Sequence, residues 1–123
     1  MRRLSRTLTE QELEIMKVVW DRETTTVRDV YETLLKRRKV AYTTVMTMMT
    51  ILETKKYLKK DQTNRAFVYR PAQPKSQVIG AMVREFVNRV FNGSAEPLLA
   101  HLVKEHDLSP KDLEEIARLR RKP

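Results

Sequence analysis

Apolar side chains recur at helical spacing through the first third of the chain. In LTEQELEIMKVVW they fall at Leu13, Met16, Val19 and Trp20, with Ile15 and Val18 widening the stripe. Thr9 is placed as N-cap with Glu12 at N3, the spacing of a capping box, and Leu8 and Leu13 occupy the positions of a hydrophobic staple. This first helix is expected to end near Asp21–Arg22. A second begins after Thr26, with Asp29 at N3 and Val27, Val30, Tyr31, Leu34 and Leu35 on its buried side. The β-branched run Thr24–Val27 just ahead of it also suits a very short strand. The segment AYTTVMTMMTILETKK, 41–56, predicts a third helix whose inward stripe is Val45, Met48, Met49 and Leu52. Thr43, Thr47, Thr50 and Thr54 gather on the opposite side, with Thr44 and Ile51 at its edge.

After this helix the period changes from 3.6 to 2. YLKKDQTNRAFVYRP reads as a hairpin that turns through Gln62–Arg65 and runs on in Ala66–Arg70 until Pro71 stops it. Pro71 and Pro74 then mark a boundary. Beyond it, SQVIGAMVREFVNRVF, with Ser76 as the expected cap, pairs apolar residues at i, i+1 with i+4, i+5, and Gly93 closes it. Two shorter helices follow, the last opened by Ser109 as N-cap, Pro110 at N1 and Asp112 at N3. The order predicts a mainly α chain with a small β-hairpin wing: a winged helix-turn-helix domain over 1–71 and a helical dimerisation domain over 72–123.

The charge sharpens this picture. The 123 residues carry 25 Lys+Arg against 16 Asp+Glu, a net charge of +9. Residues 1–71 hold 16 basic and 9 acidic residues, and 72–123 hold 9 and 7, so a polyanion site belongs to the first half. With no cysteine, disulfides, thiolate metal sites and cysteine nucleophiles are excluded. Two glycines leave no Gly-rich phosphate loop, and His101 with Glu105 is an incomplete metal pair, so neither catalysis nor a cofactor is expected. No apolar run has transmembrane length and no signal-peptide core follows the N-terminal arginines, so a cytoplasmic protein without membrane association is expected.

The threonine face asks for a reason of its own. Threonine costs about half a kcal/mol against alanine in a helix, and an ordinary solvated face uses Glu, Lys, Gln or Arg. A helix entering the DNA major groove gains from short side chains that bring a hydroxyl to a base edge or phosphate and a methyl to a thymine methyl. Tyr42, Thr43, Thr44, Thr47 and Ile51 are therefore placed toward base edges and adjoining phosphates. Lys36, Arg37, Arg38, Lys39, Lys55 and Arg65 are placed over the backbone. A non-specific architectural DNA-binding protein has no use for such a face, and a winged-helix protein–protein module would carry an acidic or apolar third helix.

LTEQELEIMKVVW, TVRDVYETL, AYTTVMTMMTILETKKYL and RAFVYRP together resemble the BlaI/MecI/CopY family of bacterial penicillinase-type repressors, and FNGSAEPLLAHLVKEHDLSPKDLEEI is similar to its C-terminal module. The resemblance implies a homodimer that represses transcription at a dyad operator on double-stranded DNA. In that family β-lactam branches are induced when a membrane sensor leads to repressor cleavage and copper branches when metal binds C-terminal cysteines, so an inducing protease or sensor is a further candidate partner. Surplus apolar surface in the second half agrees with a partner subunit. The proposed seam comprises Val78, Ile79, Met82, Val83, Phe86, Val87, Val90 and Phe91, with Leu98, Leu99, Leu102, Val103, Leu113 and Ile116. The chain departs from the family pattern at several places. Ile51 stands where members often carry Arg, and Lys56 where a helix-ending Gly is usual. Asn64 stands where the wing turn often has Gly, and His101–Leu102 at the β-lactam branch's Asn-Phe scissile pair. The copper branch's cysteines are absent.

Overall fold

The computed structural model describes residues 8–63 and 66–119. The elements run α1 (Glu10–Arg22), α2 (Val27–Leu35), α3 (Tyr42–Thr54), β1 (Leu58–Thr63), β2 (Ala66–Pro71), α4 (Lys75–Phe91), α5 (Ala95–His106) and α6 (Pro110–Leu119). β1 and β2 pair antiparallel, and Thr25 makes an isolated bridge to Tyr69, the short extended segment that the β-branched run before α2 suits. Among the described residues, six helices and one hairpin in this order form a winged helix-turn-helix with a helical C-terminal part.

Local chemistry sets the ends of these elements. At α1 the capping box is complete: the Glu12 amide donates to Thr9 Oγ1 at 3.1 Å and the Thr9 amide to Glu12 Oε1 at 2.9 Å. Thr26 accepts from the Asp29 amide at α2, and Ser109 and Asp112 close a second reciprocal pair at α6. α4 begins at Lys75, ahead of the expected Ser76 cap, because the Val78 amide already donates to the Pro74 carbonyl. α3 ends in a Schellman arrangement: Tyr57 N–H donates to the Leu52 carbonyl and Lys56 N–H to the Glu53 carbonyl. Lys56 consequently takes φ 72°, which costs a residue with a Cβ about 1 kcal/mol. Tyr57 and Leu52, the positions whose apolar contact usually accompanies this motif, are both buried.

The described residues divide into two compact units within α4, between Ile79 and Gly80. In the first unit, Ile15, Met16 and Val19 of α1, Val30 and Leu34 of α2, and Val45, Met49 and Leu52 of α3 are almost wholly buried, with Leu58 and Tyr69 of the hairpin. Burial of each large apolar side chain is worth about 1.5–3 kcal/mol, so this cluster holds the three helices and the hairpin in one geometry. The start of α4 belongs to the same unit: Val78 is buried, and Trp20 Nε1 donates to the Gln73 carbonyl at 3.0 Å. Leu35, expected inside, is exposed, since it sits in the last turn of α2 some 100° from Leu34.

A part-buried ion pair borders this core. Glu12, 4% exposed, receives the Lys55 ammonium at 2.9 and 3.0 Å, joining the first turn of α1 to the end of α3. Burial pushes the Glu12 carboxyl up. The Thr9 amide and the Lys55 ammonium outweigh it and hold the group below its ordinary value.

Candidate nucleic-acid interface

α3 presents Thr43, Thr44, Thr47 and Ile51 to solvent, as its spacing predicts, and Met46 as well. The structure divides the threonines in a way that spacing alone does not reveal. Thr50 Oγ1 donates to the Met46 carbonyl and Thr54 Oγ1 to the Thr50 carbonyl, each at 3.1 Å, so these two hydroxyls are committed to their own helix. The hydroxyls of Thr43, Thr44 and Thr47 have no partner among the described residues. The uncommitted groups thus lie in the N-terminal half of α3. Ala41, the N-cap, offers no side-chain acceptor, which leaves the first-turn amides open to an anion.

Tyr42 is held at the start of this face. Its ring meets Tyr31 edge-on at 5.3 Å between centroids, and Arg28 Cζ lies 5.4 Å from its centroid. Arg28, in the first turn of α2, is not singled out by sequence, because a single basic residue beside Glu32 resembles an ordinary solvated i,i+4 pair. Phe67 and Lys60 of the hairpin are not singled out either, although strand alternation is a signal that would put them on one face.

The expected backbone contacts fall into three groups. Lys36 and Lys39 are exposed and have no ion-pair partner among the described residues. Arg38 Nη2 lies 2.7 Å from Glu14 and Arg37 Nη1 3.9 Å from it, at sites where ion pairs contribute at most about 1 kcal/mol and exchange readily. The Lys55 ammonium is committed to Glu12 and closes the core instead of standing free over a polyanion. Arg65 lies outside the described residues.

In the second unit many large apolar side chains are exposed. Val83, Phe86, Val90, Leu99, Leu102, Leu113 and Ile116 are between 38% and 52% exposed, and Leu119, absent from the seam expected from sequence, is 67% exposed. Met82, Phe91, Leu98 and Val103 are half-buried, as is Ile79 on the other side of the division. Phe91 meets Phe86 and His101 with ring centroids 5.9 Å away in each case. Val78 and Val87, placed in the seam from sequence, are buried within the single chain and are not among its exposed side chains. Among the described residues no helix is long and apolar enough to cross a membrane.

Known proteins are similar to this chain. The penicillinase repressor of Bacillus licheniformis is 28% identical over 109 residues, covering 89% of this chain and 85% of the relative. The transcriptional regulator BlaI of Mycobacterium tuberculosis is 36% identical over 106 residues, covering 85% and 76%. The solution structure of the DNA-binding domain of the repressor BlaI superposes with a TM-score of 0.53 at 30% identity, over 62% of this chain and 92% of that one. A second solution structure, of the Bacillus licheniformis BlaI monomeric form in complex with the blaP half-operator, superposes with a TM-score of 0.52 at 30% identity over the same shares. The penicillinase repressor family matches residues 8–122, and the chain belongs to that family.

Proposed function

We propose that the protein is a homodimeric transcriptional repressor that binds a dyad operator, with α3 in the major groove and the hairpin along the backbone. The observation that carries this reading is the row of uncommitted hydroxyls on Thr43, Thr44 and Thr47, flanked by the free ammonium groups of Lys36 and Lys39. Short hydroxyls admit the helix to base edges, where specificity is read, and the cations hold the duplex in place. Arg37 and Arg38 join the backbone contacts by exchanging Glu14 for phosphate. Ile51 offers an apolar contact to a thymine methyl. Relatives described as repressors, one of them solved with a half-operator, support the DNA as partner. The exposed large apolar side chains of the second unit support the dimer, since apolar side chains gathered on a surface ordinarily meet a partner.

Titration against a duplex selected from fragments of the source genome tests the reading. The wild type is expected to bind the full dyad more tightly than one half-site by orders of magnitude, with the half-sites about one helical turn, or a multiple of it, apart. Equal affinity for the dyad, its half-site and a scrambled duplex rejects it.

A further inference from the structure

The hairpin face turned toward the helices is an unfinished packing surface. Its register sets Leu58 opposite Pro71, Lys60 opposite Tyr69 and Gln62 opposite Phe67, so these side chains share one face. Leu58 and Tyr69, at the base, are buried. Phe67, nearer the tip, is 52% exposed, an unusual place for so large an apolar ring. It lines an open hollow of about 480 Å³ together with Met46 of α3 and the first turn of α2.

The lining includes two cations, Arg28 and Lys60, and no carboxylate. Each cation rests on an aromatic ring: Arg28 Cζ is 5.4 Å from the Tyr42 centroid and Lys60 Nζ 4.6 Å from that of Phe67. Their ion pairs, to Glu32 at 3.6 Å and Glu53 at 3.9 Å, are long and partly exposed, and so are readily given up. The hollow is also continuous with the threonine face of α3, because Met46 and Thr50 belong to both.

We propose that this hollow seats a sugar–phosphate unit of the DNA strand bordering the groove that α3 enters. Arg28 and Lys60 take the phosphates, and Phe67 and Met46 pack on the apolar side of the deoxyribose. The inference rests on the DNA-binding reading above and adds to it a specific backbone subsite. An apolar floor beside two ring-backed cations suits a strand whose sugars are largely C–H surface and whose phosphates are anionic. Cations already stacked on rings lose less freedom when the strand arrives, which favours binding.

The test uses the full-length protein and its selected operator, in which single phosphates are replaced by uncharged methylphosphonates. Arg28→Ala is expected to weaken binding to operator and random duplex alike and to lower the slope of log affinity against log salt by about one. At one backbone position, neutralising the phosphate should weaken the wild type several-fold and leave Arg28→Ala unaffected. Phe67→Ala should weaken both duplexes with the salt slope unchanged, because its contact is apolar. Both side chains are exposed, so thermal melting identical to the wild type certifies the fold. If both variants bind with wild-type affinity and slope while the wild type still prefers its operator, the subsite is wrong and the repressor reading stands. If the wild type prefers no duplex, the reading beneath it falls too.

Discussion

Phe86→Asp is expected to yield a folded monomer whose affinity for the full dyad falls by about two orders of magnitude or more, while its affinity for a half-site is unchanged. Phe86 is 39% exposed in the single chain and meets Phe91 edge-on, so aspartate there costs the isolated chain about 1–2 kcal/mol of lost ring packing, and far-UV circular dichroism of the variant checks that its helices persist. In a dry seam between subunits the same carboxylate is buried without a partner, a penalty of several kcal/mol on each side of the twofold axis. Losing the dimer converts the second half-site contact from an intramolecular event to a bimolecular one, and the avidity goes with it. Sedimentation together with titration of full and half operators checks this. A variant that remains dimeric, or a monomer that binds the full dyad as the wild type does, contradicts the assignment.

Glu12→Gln is expected to lower stability at neutral pH by about 2 kcal/mol, less than the roughly 3–5 kcal/mol of a fully buried pair because the Lys55 side chain keeps 24% exposure. The neutral amide leaves that ammonium without its counter-charge. The sign of the pH dependence follows from the lowered folded-state value of Glu12. Its contribution is fully present above the ordinary carboxylate value near 4.5 and is lost as the pH falls through the lower folded value. Chemical denaturation should therefore separate wild type and variant at pH 7 and bring them together in acid. Adding Lys55→Met to Glu12→Gln should recover part of the deficit, since removing both partners leaves no orphaned charge. Equal stability of wild type and Glu12→Gln at pH 7 would show that the pair does not tie α1 to α3.

These two variants also mark what is legible in the sequence and what is not. The caps at Thr9, Thr26 and Ser109 are legible because a cap involves residues three apart, and the α3 stripe because helical period is local. The Glu12–Lys55 pair is not, since its partners are 43 residues apart and meet only through packing, so Lys55 looks like one more surface cation. The threonine face is legible as a pattern. The division between Thr50 and Thr54, bonded to their own backbone, and Thr43, Thr44 and Thr47, turned outward, depends on χ1 choices that a sequence does not display. The stripe of α4 is visible, but Val78 in the first unit and Val87 in the second are each buried within the single chain, which only packing decides.

Whether the threonine face reads bases is decided most directly by comparing wild type with Thr44→Ala and Thr47→Ala on operator and on random duplex. Alanine is the better helix former, so the fold is not weakened by the change. Each substitution is expected to cost about 1–3 kcal/mol on the operator for every base it no longer touches, with binding to random DNA nearly as before. Equal weakening on both duplexes, or none on either, would contradict a base-reading role for this face.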